Sequence, residues 1–232
     1  MRAPHRITRI SAALRRLLIN EGVVNLSTYT IRHYPTHLID VWSMRNGTKI
    51  IARPVLPQDG PMLSDMIERA SQASRIHRFH SPINGLTLAR QRDMTEVDYQ
   101  THLALVLTVA TSEGNRIIGE GRYVVDDTPD RHCATFALSI VDDWQQRGLG
   151  TRTMTLLMDA ARGAGVRWLH GDVMQDNLAM LKLMRRVGFS CTPNRNRERL
   201  IDAEALLDNA GGRAIQPTLK RRFRSLRHFA RA

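Results

Sequence analysis

Cysteine is nearly absent: the 232 residues hold two, Cys133 and Cys191. Two cysteines make no disulfide framework, and Cys133 falls in an apolar strand-like run. That usage suits a reducing, cytoplasmic setting. No apolar run reaches the roughly 18 residues that a membrane-spanning helix needs, so none is expected. Lysine is scarce too, with three among the 34 cationic residues. Two common phosphate-binding signatures are also missing. A dinucleotide fingerprint needs three glycines in Gly-x-Gly-x-x-Gly, and a P-loop needs Gly-Lys-Ser/Thr after four spacers.

The net charge of +12 is unevenly placed. Residues 1–48 carry an excess of five positive charges, residues 49–189 an excess of one, and residues 190–232 an excess of six. The central segment is therefore almost neutral and the flanks are basic. Basic flanks attract nucleic acid, acidic lipid or acidic protein, although arginine-rich solvated segments are the simpler account. In residues 1–22, Ile7, Ile10, Ala13 or Leu14, and Leu17 or Leu18 recur at helical spacing among Arg6, Arg9, Arg15 and Arg16. Such a segment fits a transit-peptide-like leader, a membrane-surface helix, or a helix packed on the domain or on a second subunit of a homo-oligomer.

Two strand-like runs, Leu38–Met44 and Lys49–Arg53, flank Asn46-Gly47, which predicts a hairpin with a type I′ turn. Asp59 is a candidate N-cap for a helix with Met62, Met66, Ile67 and Ala70 on its apolar face. A less regular helical segment runs from Ile76 to Pro82. Strands are expected at His102–Ala110, Arg116–Val125, His132–Val141 and Val166–Val173. Helices are expected at Thr153–Ala164, at Asn177–Val187 (closed by Gly188 as a C′ glycine) and at Arg197–Asn209. Phe189–Cys191 begins a further strand, and Thr218–Ala232 forms a basic tail. Strands joined by tight turns and followed by β-loop-α-β-α-β predict an α/β (α+β) mixed sheet, mostly antiparallel, with helices on both faces.

Between Val141 and Thr151 the chain reads Val-Asp-Asp-Trp-Gln-Gln-Arg-Gly-Leu-Gly-Thr, which contains Gln145-x-x-Gly148-x-Gly150. A strand, a short glycine loop and a helix make an anion-binding device. The glycines let the backbone approach a ligand, and the first-turn N–H groups point at it. Phosphate or pyrophosphate is the natural ligand.

With Asn177 and Gly188-Phe189, this loop resembles the GNAT superfamily of acetyl-CoA-dependent N-acetyltransferases over residues 50–189. Three features narrow the likeness to a bacterial branch that includes protein-lysine acetyltransferases: Arg53-Pro54 with Pro57-x-Asp59, the Ser74-Arg75-x-x-Arg78-Phe79 segment, and Asp142-Asp143-Trp144-Gln145. The resemblance implies three parts: a basic extension over 1–37, a transferase domain over 38–192, and a basic helix and tail over 193–232. It implies that Gln145, Gln146, Arg147, Gly148, Leu149, Gly150 and Thr151 hold the pyrophosphate of acetyl-CoA. The pantetheine arm would lie along Leu138, Ser139, Ile140 and Val141, with an oxyanion-stabilising N–H near Ile140 or Val141. Asn177 would reach the same arm, and it also reads as a helix N-cap.

Transfer to an amine needs a neutral nucleophile. For a free lysine this costs about 4.6 kcal/mol at pH 7, so a base is required. Related protein acetyltransferases carry a glutamate ten residues before the loop glutamine, where this chain has Thr135. A tyrosine that often serves as the acid is replaced by Met184. The candidates left are Glu120 as base and Tyr123 as acid, with Asp142 and Asp143 beside the loop. Each also fits a structural role: a salt-bridged strand residue, a core residue and turn residues. His77 and His80 lack the further ligands of a metal site, and none is expected. Arg75 and Arg78 are placed to face acidic substrate groups or to sit on a helix surface. The resulting expectation is acetyl transfer to a protein lysine or small amine, against a cofactor-binding module without turnover.

Overall fold

The apolar stretch from Leu103 to Val109 has buried side chains on both of its faces, which makes it a central strand rather than an edge. The sheet grows outward from it. The computed structural model describes residues 34–127 and 132–207. The amphipathic segment at 1–22, the tail at Thr218–Ala232 and the turn residues Thr128–Asp130 lie outside the described residues. Among the described residues there are eight strands: β1 (Asp40–Ser43), β2 (Lys49–Pro54), β3 (His102–Thr111), β4 (Gly114–Val125), β5 (Cys133–Ile140), β6 (Trp168–Met174), β7 (Ser190–Pro193) and β8 (Leu200–Leu206). They form one sheet in the order β1-β2-β3-β4-β5-β6-β8-β7. Every neighbouring pair is antiparallel except β5–β6.

Helices cover both faces, as the pattern implied. On one face, α4 (Leu149–Gly163) and α5 (Leu178–Arg186) pack Met154, Leu157, Ala161, Leu181 and Met184 against Leu105, Leu107, Phe136 and Leu138. The buried positions of α4 recur at the spacing of one helical face. On the other face, α1 (Gly60–Arg69) and α3 (Leu88–Thr95) pack Leu63, Met66, Ile67 and Met94 against Ala104, Val106 and Ile117. The short helix α2 (Gln72–Phe79) lies on this second side and contacts β5.

Several local expectations change. The β1–β2 hairpin closes without a type I′ turn. Gly47 donates to the Met44 carbonyl at 2.9 Å, and of Arg45, Asn46 and Gly47 only the glycine has positive φ, 82°. That is the three-residue loop in which left-handed glycine follows a type I turn. The helix placed at Ile76–Pro82 starts earlier, at Gln72, and ends at His80 in the left-handed region with φ 53°. The helix expected at Arg197–Asn209 is strand β8 where it is described. It inserts between β6 and β7, so its alternation is satisfied by two neighbouring strands rather than by one helical face. The sheet therefore runs to Leu206, past the boundary drawn at residue 192.

Asp59 occupies the position before α1 without capping it. Its carboxylate accepts the Leu56 N–H at 2.7 Å and both terminal nitrogens of Arg53 at 2.6 and 2.8 Å. The side chain is 1% exposed, so this bidentate pair fastens the end of β2 to the start of α1 from within the protein. Removing one partner strands a buried charge. Asp59→Ala should therefore lower the unfolding free energy by about 3 kcal/mol, read as a lower urea midpoint at unchanged slope. A midpoint equal to wild type would show the pair to be dispensable.

Candidate active site

Three residue pairs join β5 to β6: Cys133 with Trp168, Ala134 with Leu169 and Thr135 with His170. Beyond them the strands part. β6 continues to Met174 paired with β8, and β5 continues to Ile140 paired with β4. The β5 edge from Phe136 to Ile140 thus faces an opening in the sheet with no ladder across it. Gly171 sits at its margin, where a Cβ would come within 2.8 Å of the Phe136 ring, itself edge-on to Phe189 at 5.1 Å.

A cavity of about 520 Å³ occupies this opening. It is lined by Leu138, Ser139, Ile140, Gln145, Gln146, Gly148, Gly150, Thr151 and Asn177, and also by Ser74, His77, Arg78, Lys182 and Arg186. Gln146 and Gly148 both have positive φ, 58° and 83°, and Gly148 opens α4 with no side-chain cap on the helix. The first-turn N–H groups of α4 therefore lie where an anion can take them. A Cβ on Gly148 would meet nothing within 4 Å, whereas one on Gly150 would press on Leu183 at 3.1 Å. The first glycine serves the backbone turn, and the second serves close packing against α5. Asn177 caps α5, its Oδ1 accepting the Met180 N–H at 3.1 Å, while also lining the cavity.

Three residues expected at the cofactor turn their side chains elsewhere. Those of Val141 and Leu149 are buried in the two cores, 4% and 2% exposed, so Leu149 can offer only its backbone N–H. The Val141 N–H donates to the Ile118 carbonyl at 2.9 Å, which removes it as an oxyanion donor. Arg147 stands over the Trp144 ring at 5.3 Å. Lys182, Arg186, Ser74 and His77 are additional lining residues. The first two give the opening positive charge suited to phosphate, and they are recognisable only once α5 is known to border the loop.

The proposed proton-transfer residues are structural. Glu120 is fully buried between Arg122, which donates from Nε, and Arg78, whose Nη2 lies 3.3 Å away. Burial works to raise its pKa, but the two guanidiniums prevail and hold the carboxyl below the usual glutamate range. A carboxylate so placed is a poor base. The flanking glycines serve packing rather than a ligand: a Cβ on Gly119 would meet Ile140 at 2.5 Å, and one on Gly121 would meet Thr153 at 2.9 Å. Tyr123 is 1% exposed on the opposite face, where its hydroxyl donates to the Gln100 carbonyl at 3.3 Å. Burial pushes its pKa up to about 12, which unsuits it as an acid near neutrality. Met184 is a fully buried core residue.

Around these, α2 is fastened to the loop. Asp142 accepts from Ser71 N–H at 2.8 Å, Ser71 Oγ at 2.7 Å and Ser74 Oγ at 2.8 Å. Gln145 donates to the Ile140 carbonyl at 2.9 Å and to Ser74 Oγ at 3.3 Å. Arg75 donates to the Ala70 carbonyl at 2.6 Å and is taken up by the end of α1. His77 lies 3.3 Å from Asp176. Among the described residues, no group of three or more His, Cys, Asp or Glu could hold a metal ion.

A second cavity of about 190 Å³ adjoins the first, sharing Arg78, His77, Leu138, Asn177 and Met180 with it. Its other walls include His80, Thr135, His170 and Asp172. Thus a basic, glycine-looped cavity meets a smaller polar one where the sheet parts, the arrangement of a group transferase that takes a phosphorylated donor and a second substrate.

Comparison with known proteins defines the class. The acetyltransferase (GNAT) family profile matches residues 74–189, half of the chain. Acetyltransferase PA5475 of Pseudomonas aeruginosa is 31% identical over 152 residues, covering 65% of this chain and 81% of that protein. Acetyltransferase Pat of Mycolicibacterium smegmatis is 32% identical over 149 residues, covering 62% of this chain; the chain spans 42% of that relative's length. Among solved structures, the GNAT domain of S. lividans PAT matches with a TM-score of 0.68 at 23% identity, over 75% of this chain and 99% of that one. A cAMP-binding acyltransferase from Mycobacterium smegmatis matches at 0.51 and 28%, over 84% and 56%. The chain belongs to the GNAT family of acetyltransferases.

The Asp142 contacts make a pH prediction. Burial acts to raise its pKa, but the hydrogen bonds from Ser71 and Ser74 hold it below the ordinary aspartate value of 3.8. An unfolded aspartate titrates near 3.9, so the unfolded chain binds more protons just below that pH. The contribution is complete above about pH 4 and is lost as pH falls through the lower folded value. Asp142→Asn should flatten the fall in melting temperature between about pH 4 and pH 2. Parallel curves for variant and wild type would sink the assignment.

Proposed function

We propose that this protein transfers the acetyl group of acetyl-CoA to a primary amine, either a protein lysine or a small amine. The observation that carries this reading is the loop at the mouth of α4. Two left-handed residues, Gln146 and Gly148, turn the backbone so that an uncapped helix start faces a cavity bordered by Lys182 and Arg186. Anion-directed N–H groups and nearby cations suit a pyrophosphate. The cavity lies against the unladdered edge of β5, where an extended amide-bearing arm could bond as an added strand does. The likeness to proteins named as acetyltransferases supports acetyl-CoA as the donor.

The residues divide the work in this reading. The α4 loop binds the donor's phosphates, and the β5 edge aligns the arm toward Thr135 and His170, where pairing with β6 begins. Leu138 and Met180, common to both cavities, form an apolar passage between donor and acceptor sides. The smaller cavity, with Asp172 and His170 in its wall, would receive the acceptor. Asp172 offers a carboxylate to a cationic amine, already balanced in part by Arg197 at 3.1 Å.

Thr135 also favours a second reading, donor binding without turnover, because no carboxylate occupies the position where relatives place their base. Calorimetric titration with acetyl-CoA should show micromolar binding in the wild type and none in Gly148→Trp, whose indole would fill the open space beside the loop. Wild-type protein that fails to bind acetyl-CoA would overturn both readings. Binding without thiol release in the presence of amines would favour the second.

A further inference from the structure

Thr135 does not stand alone in the smaller cavity. Its side-chain hydroxyl donates to Asp126 Oδ1 at 2.9 Å, and Asp126 Oδ2 lies 2.6 Å from Nε2 of His170. The hydroxyl is also 3.5 Å from that same nitrogen. Asp126 is held in turn by its own N–H, which donates to the Cys133 carbonyl at 2.9 Å. His170 is 4% exposed and lines the cavity, yet its Nδ1 is buried with no hydrogen-bond partner among the described residues. A buried imidazole nitrogen left unpaired is costly, and in a residue that lines a cavity it calls for a partner from outside the described residues.

We infer that His170, oriented by Asp126 and Thr135, accepts the proton that the acceptor amine must lose. The proposal rests on the acetyl-transfer reading above and supplies the proton acceptor that Thr135 and Glu120 cannot. A carboxylate only accepts hydrogen bonds, so in the neutral ring the Nε2 nitrogen carries the proton toward Asp126. Nδ1 then keeps its lone pair. When Nδ1 takes up a proton, directly or through a water, the Asp126 charge beside the ring stabilises the resulting imidazolium. Thr135 fixes the carboxylate through its other oxygen. Asp126 and Thr135 are therefore positioning residues.

The chemistry balances without a further reactant. The ammonium gives up two protons in all. One passes to His170 and on to solvent. The amine nitrogen forms the new C–N bond as the thioester C–S bond breaks, and the second proton ends on the departing sulfur.

Position explains how a histidine could take over from a carboxylate. Thr135 and His170 are direct neighbours in the β5–β6 register, the last such pair before the strands part. Paired residues in adjacent strands project from the same face. The function lost at one position is thus recovered from the next strand, on the same wall of the cavity. Other charged groups share this environment. Glu204 stands across from His170 on β8, Asp172 lies two residues along β6, and His77 and Arg78 of α2 and the His80 that follows it line the same cavity. Arg78 is committed to Glu120, and Asp172 lies 3.1 Å from Arg197.

The test uses the full chain and measures thiol release from acetyl-CoA, with poly-L-lysine, spermidine and cadaverine as acceptors. His170→Gln should keep its acetyl-CoA affinity by calorimetry and lose roughly 100-fold in kcat. Wild-type kcat should fall on the acid side as an imidazole takes up its proton, and this limb should be absent from the variant. Asp126→Asn, which alters no volume, should move the limb to lower pH. Introducing Thr135→Glu into the His170→Gln protein should restore roughly tenfold or more of the rate by returning a carboxylate to the wall, a rescue that a merely structural histidine would not permit. Wild-type transfer matched by His170→Gln with an unchanged limb would overturn this assignment and leave the transferase reading standing, as would a limb that Asp126→Asn fails to move. Wild-type protein that binds acetyl-CoA but acetylates none of these amines would count against the transferase reading and this proposal together.

Discussion

The parallel pairing of β5 with β6 lasts only three residues, and the geometry of the site follows from where it stops. A sheet ladder satisfies backbone groups on both edges of a strand, and a strand that loses one neighbour keeps an edge able to bond something else. Here β5 stays anchored to β4 over its whole length while β6 turns its pairing to β8. The opening is held by rigid elements on both sides. Phe136 and Phe189 wedge its apex, with room made by the missing side chain at Gly171. The glycine loop and the start of α4 lie at the far end of the same strand. The two cavities therefore lie along one strand, Thr135 in the wall of the smaller near its beginning and Ile140 in that of the larger at its end.

A second constraint holds the lid of this opening. Helix α2 has no fully buried residue, so packing alone would position it weakly. It is fastened by polar contacts at both ends. Near its start, Ser71 and Ser74 grip Asp142; near its end, Arg78 reaches the buried Glu120. Glu120 shares its charge with Arg122, which also donates to the Met94 carbonyl and lies against His102. The Glu120 carboxylate is taken up by two guanidiniums, which is why a carboxylate in a strand beside the site serves architecture rather than proton transfer.

Much of this was legible in the residues. Alternation, turn chemistry and the spacing of apolar positions located seven of the eight strands among the described residues, and the glycine pattern located the turn that opens α4. What sequence reasoning missed has a common cause. Leu200, Ile201, Ala205 and Leu206 of β8 also fit a helical face, and only insertion between two distant strands decides the matter. Glu120 was a credible base until Arg78, 42 residues earlier, came to lie on it. His170 carried no signal, since its partners Thr135 and Asp126 are 35 and 44 residues away.

The sequence by itself determined the local geometry: where the chain turns, which faces are apolar, and that a glycine loop at residues 145–151 opens a helix. Those properties depend on neighbours within a few residues, through φ limits and side-chain periodicity. Tertiary structure decided which charges are paired, which strand supplies which neighbour and which nitrogen is left without a partner. These depend on the electrostatics of groups brought together from far apart in the chain, and burial gives those pairings their strength. The glycine loop was therefore visible in the order of its residues, whereas the Thr135–Asp126–His170 cluster became visible only when β5 and β6 stood side by side.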